Sequence, residues 1–281
     1  MSAVWFNGEI IEGTLPLDPH DRGFMLGDGV FETIAVINHK PLWLDEHLKR
    51  LSHGASELGL SFDPEDLFNG LTAVLRNCDT LYEVLRITLS RGKTARGLGG
   101  EGATPSLLVT LDEFRAENLF QPCRLKVSAV RRNEFAPSSR MKTLSYIDGI
   151  AAAREVAAEA DDALMLNTSG FVASSTVANI FLLHGKQLIT PRLDQGILPG
   201  ITRQLLLQNS RNFGLFPIEK IVRVDDLLGA EAVFLCNSLR FIRPVTTLDG
   251  NALGARPLDE LKEGLSLLAK QHCGIDPREI R

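Results

Sequence analysis

The sequence lacks several features that would indicate a metal site, a disulfide framework, a membrane segment or a nucleic-acid partner. It contains no Cys-x-x-Cys pair, so neither a zinc site nor a disulfide framework is indicated, and we expect four reduced thiols. It has no continuous apolar run of roughly 18 residues, and its first residues lack a basic region followed by an apolar run, which predicts a cytoplasmic chain without a membrane partner. A formal net charge of -5 and the absence of a long basic run disfavour nucleic acid as a partner. Small-molecule chemistry is therefore the favoured class of activity. The cysteines are Cys78, Cys123, Cys236 and Cys273.

The composition is that of an ordinary globular chain. Its 281 residues, 44% of them hydrophobic and 23% charged, suffice for one large or two medium domains, and no internal repeat is visible. A charged run over residues 112–118, followed by Gln121-Pro122, interrupts the apolar pattern. We therefore predict an N-terminal α/β domain over residues 1–115, a linker over 116–122 and a C-terminal domain over 123–281.

Local patterns predict alternating strands and helices. Asn7-Gly8 favours a hairpin at the start of the chain because both residues readily take positive φ angles. Strands are predicted over residues 30–37, 82–90, 106–111 and 125–130. Helices are predicted from a cap at Asp45 to Gly59, from Asp63 to about Cys78, and from just after Lys142 to about Ala160.

Lys142 is a candidate imine-forming amine. It lies between the Pro137-Ser138-Ser139 loop and an alanine-rich helical pattern, which could hold it inside a site. A lysine becomes a nucleophile at neutral pH only when desolvation or a neighbouring cation lowers its pKa, and Arg140 is close enough in sequence to contribute. The alternative is a solvated surface lysine, which is the commoner case.

Two further segments suit anions. Residues 91–98 place arginines and a lysine on a glycine-bearing loop, which could trap a carboxylate, although such loop charges are often merely solvated. Residues 199–202 precede a helix whose free N–H groups and positive dipole end suit a phosphate, although taken alone such a segment is more often an ordinary capped helix. Gly27-Asp28-Gly29, taken alone, is a turn and not a dinucleotide-binding fingerprint.

Taken together, four segments resemble one cofactor family. They are Arg-Met-Lys-Thr-Leu-Ser-Tyr at 140–146, Glu-His-Leu-Lys-Arg-Leu at 46–51, Ser-Ser-Thr-Val-Ala-Asn-Ile-Phe at 174–181 and Leu-Pro-Gly-Ile-Thr-Arg at 198–203. The chain resembles, from Asn7 to about Leu268, the class IV (fold type IV) pyridoxal-phosphate enzymes. These are branched-chain and D-amino-acid aminotransferases and 4-amino-4-deoxychorismate lyases. The resemblance implies an α/β (α+β) fold of two mixed domains with antiparallel-rich sheets.

The resemblance also implies roles for single residues. Lys142 would carry pyridoxal 5′-phosphate covalently and act catalytically, Tyr146 would face the ring hydroxyl and Ser174 the ring nitrogen. Phe31 would be a wall of the substrate pocket. Arg96 would bind the carboxylate of a small amino-acid-like substrate, reaching across the interface of a homodimer into the partner's site. The phosphate would be held by Arg50, Ile201, Thr202 and Ser238, with Leu239 beside them. No metal is implied.

Ser174 departs from the family pattern, which normally has a glutamate at this position of a Val-x-Glu segment. A glutamate would keep the pyridine nitrogen protonated and make the ring a strong electron sink, whereas a serine can only hydrogen-bond a mostly neutral nitrogen. Transamination depends on that sink more than an elimination that yields an aromatic product. The serine, and the Cys-Asn-Ser-Leu form of residues 236–239, favour the lyase of folate biosynthesis. An aminotransferase and a cofactor-binding protein without turnover remain open.

Overall fold

The computed structural model describes residues 3–100 and 102–280, which form two β-sheets and eight α-helices. The first sheet contains β1 (Ala3–Phe6), β2 (Glu9–Ile10), β3 (Gly29–Ile37), β4 (Lys40–Pro41), β5 (Tyr82–Lys93) and β6 (Thr104–Glu113). The second contains β7 (Cys123–Val127), β8 (Asp162–Leu166), β9 (Val172–Ser175), β10 (Asn179–His184), β11 (Gln187–Pro191), β12 (Phe216–Lys220), β13 (Ala232–Asn237), β14 (Phe241–Leu248) and β15 (Asn251–Ala252). The helices are α1 (Arg22–Leu26), α2 (Leu44–Glu57), α3 (Pro64–Leu75), α4 (Pro137–Arg140), α5 (Ile147–Val156), α6 (Ile201–Asn209), α7 (Val224–Leu228) and α8 (Asp259–Cys273).

The first sheet is antiparallel throughout, in the order β2-β1-β6-β5-β3-β4. The predicted hairpin is confirmed, since Trp5 pairs with Ile10 across a turn in which Asn7 and Gly8 have φ of 44° and 103°. The apolar stripes of α2 and α3 pack on this sheet, where Leu51 and Leu71 join a buried cluster. Burial of these stripes, at about 25 cal/mol per Å² of apolar surface, holds the helices to the sheet.

Two helix boundaries differ from the sequence prediction. Helix α2 begins at Leu44, with Trp43 in the left-handed region at φ 51°, so Asp45 lies in the first turn and does not cap the helix. There its carboxylate complements the positive end of the helix dipole. Helix α3 is capped by Asp63 but ends at Leu75, and Cys78 belongs to the turn that follows, where its N–H bonds to the Leu75 carbonyl.

The second sheet is mixed. Its main order is β12-β11-β10-β13-β14-β7-β8-β9, and the pairs β11/β12, β7/β14 and β7/β8 are parallel while the other pairs are antiparallel. Buried leucine, isoleucine and valine side chains fill one face. One antiparallel sheet, one mixed sheet and the helices packed on them confirm the predicted α/β (α+β) class with antiparallel-rich sheets.

The C-terminal helix ties the two sheets together. In the sequence, the first sheet precedes residues 114–122 and the second sheet follows them. One buried cluster nevertheless contains Ile37 and Trp43 from the N-terminal part together with Phe234 and Leu265. The Asn38 side chain also donates to the carbonyl of Cys273 at 2.9 Å. The predicted division into domains therefore stays a prediction, because the two parts share a core. Within the described ranges, no helix is both long and apolar enough to cross a membrane.

Lys142 lies on an extended segment between α4 and α5 rather than immediately before a helix. Helix α5 begins at Ile147 and ends at Val156, short of the predicted Ala160. The segment is fixed to β3, because the N–H of Phe31 donates to the Lys142 carbonyl and the N–H of Leu144 donates to the Gly29 carbonyl, each at 2.9 Å. Backbone pairing thus brings the lysine of the C-terminal half onto the first strand of the pocket.

Candidate active site

A cavity of about 460 Å³ opens where β3, the Lys142 segment, β9 and the start of α6 meet. It contains nine of the ten residues singled out from the sequence, and their individual roles stay predictions. These are Phe31, Arg50, Lys142, Tyr146, Ser174, Ile201, Thr202, Ser238 and Leu239. The tenth, Arg96, does not line this cavity. A pocket of this size suits a small organic molecule together with a cofactor.

The Lys142 amine is positioned for reaction. Its Nζ lies 3.5 Å from the Tyr146 hydroxyl and 4.3 Å from the centre of the Phe31 ring. Burial, together with the positive charge of Arg50, lowers the pKa of Lys142 to about 8, so about a tenth of the amine is neutral at pH 7. Arg140, which we expected to contribute, is exposed. The cations that act are Arg50 and Arg86, which sequence spacing did not reveal.

Phe31 forms a wall between charged groups. The guanidinium carbon of Arg86 lies 4.0 Å from the ring centre, and the Tyr146 ring meets Phe31 edge-on at 5.3 Å between centroids. A cation over an aromatic face is stabilised by the ring quadrupole. Phe31 therefore orients Lys142, Arg86 and Tyr146 around one side of the cavity.

Arg50 is held by a buried carboxylate. Its Nε and Nη2 donate to the two carboxylate oxygens of Glu32, each at 2.7 Å, and its Nη1 donates to the Pro199 carbonyl at 2.9 Å. His47 Nδ1 lies 2.7 Å from the same carboxylate. Burial would raise the pKa of Glu32, but the hydrogen bonds from Arg50 and His47 outweigh it and lower the pKa to about 2. The predicted phosphate contact of Arg50 must therefore use its remaining N–H groups.

His47 links this ion pair to the floor of the cavity. Burial lowers its pKa, which favours a neutral ring whose Nδ1 donates to Glu32. Its Nε2 lies 3.3 Å from the hydroxyl of Ser238, so it can accept from that hydroxyl. The motif at residues 46–51 contains His47, but no role was predicted for His47 or for Glu32. The sequence feature that could have identified them is their position, since Glu32 directly follows Phe31 and His47 lies three residues before Arg50.

The start of α6 offers the expected anion site. The helix begins at Ile201 after Gly200, and no side chain caps it. The buried hydroxyl of Thr202 has no hydrogen-bond partner within the described ranges. A side chain on Gly200 would lie 2.0 Å from the Asn179 amide oxygen, so only glycine fits here. Free helix N–H groups and an unpartnered hydroxyl fit the phosphate of pyridoxal phosphate.

Ser174 lies in the cavity beside a cation instead of an acid. Its hydroxyl donates to the Ser175 carbonyl at 2.8 Å and accepts from Arg132 Nη2 at 3.4 Å. Burial lowers the pKa of Arg132, and no acidic side chain of residues 3–100 and 102–280 pairs with it. Arg132 was not identified from the sequence, because it lies five residues beyond the end of β7 and ten positions before Lys142, in a loop without a recognisable motif.

Tyr146 supplies a neutral hydroxyl. Burial raises its pKa, although the positive charges of Arg132, Arg50 and Arg86 oppose the shift. The phenol therefore keeps its proton at neutral pH and can donate a hydrogen bond. A lysine, a phenol, a phosphate-sized anion site and a partly apolar wall together fit pyridoxal phosphate. The described residues contain no group of three or more His, Cys, Asp or Glu side chains that could hold a metal ion.

Arg96 lies on an exposed loop whose backbone is held by hydrogen bonds from Arg22. Arg22 donates to the carbonyls of Gly97, at 2.5 Å, and Leu98, at 3.3 Å, and its Nε pairs with Asp28 at 2.8 Å. The Arg96 side chain is exposed and away from the cavity of its own chain. Its predicted reach into a partner's site therefore stays a prediction.

A family model, curated relatives and a solved structure all relate this chain to the same protein family. The chain matches the sequence profile of the family described as amino-transferase class IV over residues 29–248. An aminodeoxychorismate lyase from Bacillus subtilis (strain 168) is 28% identical over 275 residues, covering 95% of this chain and 94% of the relative. A D-alanine aminotransferase from Bacillus licheniformis is 31% identical over 258 residues, covering 90% of each. The solved structure of 4-amino-4-deoxychorismate lyase from Pseudomonas aeruginosa superposes with a TM-score of 0.82 at 27% identity, covering 93% of this chain and 97% of that one.

Proposed function

Because the chain belongs to the class IV aminotransferase family, whose members are pyridoxal-phosphate enzymes, we propose that it is a 4-amino-4-deoxychorismate lyase. It would eliminate pyruvate from its substrate and leave 4-aminobenzoate, as a step of folate biosynthesis in the cytoplasm. The observation that carries this choice is Ser174, which stands where the family pattern normally has a glutamate and whose hydroxyl lies 3.4 Å from Arg132 Nη2. The enzyme class and the cofactor follow from the family, whereas the reaction is the proposal.

The cofactor would be held along the whole cavity. Lys142 would bind it covalently, Tyr146 would donate to the ring hydroxyl, and the N–H groups of Ile201 and Thr202 would bind the phosphate with the Thr202 hydroxyl. Arg50 and Ser238 would complete the phosphate site, with Leu239 beside them. When bound, the cofactor supplies an electron-withdrawing ring that stabilises negative charge on the carbon bearing the substrate's amino group.

The proposed elimination needs one base and a dry site. The neutral Lys142 Nζ takes the proton from the substrate carbon that bears the amino group. The electron pair of the broken C–H bond then forms the last double bond of the aromatic ring as the bond from the neighbouring carbon to the enolpyruvyl oxygen breaks, and the pair of that bond leaves with the oxygen. The enolate released takes a proton on carbon to become pyruvate. The lowered pKa of Lys142 suits this transfer near neutral pH. Phe31, which is buried and lines the cavity, would exclude water from that side of the site.

The site suits elimination better than transamination. A transaminase must stabilise a full carbanion long enough to return the proton at a second carbon, which depends on a strong electron sink. Elimination gains the stability of an aromatic product as the leaving group departs, so a weaker sink suffices. A serine and a guanidinium beside the cofactor provide that weaker sink, since neither carries the negative charge by which a carboxylate stabilises a protonated ring nitrogen.

The test begins with the purified protein reconstituted with pyridoxal phosphate. We expect a visible absorbance band that borohydride removes, followed by stoichiometric release of pyruvate and 4-aminobenzoate from 4-amino-4-deoxychorismate. Lys142→Ala should show neither. Efficient transamination of an amino acid with pyruvate or 2-oxoglutarate, without 4-aminobenzoate formation, would contradict the lyase proposal.

The second candidate is a class IV aminotransferase acting on D- or branched-chain amino acids. It is favoured by the 31% identity to a D-alanine aminotransferase, the higher of the two identities to the curated relatives above. A panel of single L- and D-amino acids, each mixed with the cofactor-bound enzyme, tests this candidate. The amino acids that convert the bound cofactor to its aminated form identify the amino donor and its stereochemistry.

We also propose a homodimer. The large side chains of α1 and of the nearby α5 are exposed although they are apolar, which is unusual for a free surface and typical of an interface. They are Phe24, Met25, Leu26, Ile147 and Ile150. Gly27, at the end of α1, packs against the backbone of Ser145, so this surface adjoins the Lys142 segment. Sedimentation at micromolar concentration should give twice the chain mass, and a monomer with full activity would contradict this.

A further inference from the structure

The hydroxyl of Ser174 has no proton left for a ligand. A serine carries one O–H donor, and here it is given to the Ser175 carbonyl at 2.8 Å. One lone pair accepts from Arg132. Ser174 can therefore hold Arg132 in place, but in this arrangement it cannot donate to a nitrogen of the cofactor ring.

Arg132 does have donors to offer. Its Nη2 is used by Ser174 and, at 3.8 Å, by the Met165 sulfur, while its Nη1 makes no hydrogen bond to any residue of the described ranges and the side chain lines the cavity. The buried Nε also has no partner there. A half-buried guanidinium without an anion, turned toward a cavity, is costly unless a ligand supplies an acceptor.

The geometry of the cavity indicates which ligand atom this is. In pyridoxal phosphate the ring nitrogen lies opposite the carbon that a lysine would bind, and the phosphate arm is attached beside that carbon. Lys142 and the start of α6 take those two groups in the proposed function. Ser174 stands where the family pattern places the group that faces the ring nitrogen, and Arg132 Nη2 lies 3.4 Å from its hydroxyl, so the guanidinium lies at the nitrogen end of the expected ring position.

We infer that Arg132 donates a hydrogen bond to the ring nitrogen of the bound cofactor, and that the enzyme holds pyridoxal phosphate with this nitrogen unprotonated. This inference rests on the cofactor orientation of the proposed function and identifies the residue that sets its electronic state. A guanidinium has donors and no acceptor, so it bonds to a lone pair and opposes an added proton. Ser174 is then a positioning residue that acts through Arg132.

The experiment measures the nitrogen itself. Holoenzyme reconstituted with pyridoxal phosphate labelled with ¹⁵N in the ring is titrated by NMR between pH 5 and 9, since protonation changes the nitrogen shift strongly. We expect the wild type to remain unprotonated throughout. Arg132→Met should raise the nitrogen's pKa by about one to three pH units, the usual effect of removing a neighbouring like charge. Arg132→Lys, which keeps the charge, should resemble the wild type.

The matched control is Arg131→Met. Arg131 is the neighbouring residue and is exposed, and among residues 3–100 and 102–280 its side chain bonds only to the Ser128 carbonyl, so the titration should not change. A covalent band together with a protonated nitrogen in the wild type would overturn the inference while leaving the proposed function intact. Equal nitrogen pKa values in wild type and Arg132→Met would also overturn it, as expected if Arg132 binds the ring hydroxyl instead. Absence of any covalent band would overturn both proposals.

Discussion

Glu32 and Arg50 form a two-point ion pair beneath the cavity, with both N···O distances at 2.7 Å. The carboxylate is fully buried and also bonds to His47. The pair joins β3 of the first sheet to α2 and, through the Pro199 carbonyl, to the loop that begins α6. The Glu32 carboxylate thus connects three elements: β3, which carries Phe31, α2, which carries Arg50, and the loop that begins α6 at the predicted phosphate site.

Replacing Glu32 with Gln should destabilise the enzyme, because it leaves the Arg50 charge buried without a partner. We expect the free energy of unfolding to fall by about 3–5 kcal/mol at pH 7. Because the folded pKa of Glu32 is about 2 and thus lies below its ordinary value, its contribution is complete above that ordinary value and is lost as the pH falls toward 2. Urea unfolding of wild type and variant at pH 7 and pH 3 checks this. A difference in unfolding free energy that is equal at both pH values would contradict it.

Covalent binding of the cofactor should depend on pH through Lys142. Since its pKa is about 8, the rate of attachment to the apoenzyme should rise with pH with a midpoint near 8, measured as growth of the visible band. Lys142→Ala should give no band at any pH. At pH 7 the protonated Lys142 amine is buried, which costs folding free energy. Without cofactor, the Lys142→Ala protein should therefore melt no lower than the wild-type protein at pH 7. A midpoint near 10.5 would place the amine in solvent.

Arg96→Ala should weaken binding of carboxylate substrates without changing the fold. Loss of one desolvated charged hydrogen bond raises KM by about tenfold or more, with kcat changed less. The control is Arg115→Ala, since Arg115 is also exposed and its Nη1 lies 3.7 Å from the exposed carboxylate of Glu117, outside the loop that carries Arg96. Steady-state kinetics of the three proteins measure the effect. An unchanged KM would show that Arg96 remains in solvent in the assembled enzyme.

Much of the pocket could be predicted from the sequence because motifs report local requirements. Gly200 must be glycine beside Asn179, and the helix start that follows it presents N–H groups wherever the chain goes. The location of Lys142 on an extended segment paired with β3 could not be predicted, because that pairing joins residues more than 100 positions apart. Arg86 and Arg132 were missed for the same reason. The direction of the Arg86 side chain depends on the register of β5, and that of Arg132 on a loop after β7 that pairs with Asn167, and no short motif encodes either.

Ser174→Glu should move the enzyme toward transamination. The new carboxylate would pair with Arg132, cancel its charge and share a proton with the ring nitrogen, which strengthens the electron sink. We expect any conversion of the bound cofactor to its aminated form by D- or L-amino acids to accelerate by about tenfold or more, the effect of one or more pKa units on the ring nitrogen. Single-turnover absorbance measures this conversion. Ser174→Gln is the matched control, because it has the same size as the glutamate without its charge and should leave the rate near that of wild type. Equal rates in the two variants would show that position 174 acts only by its bulk.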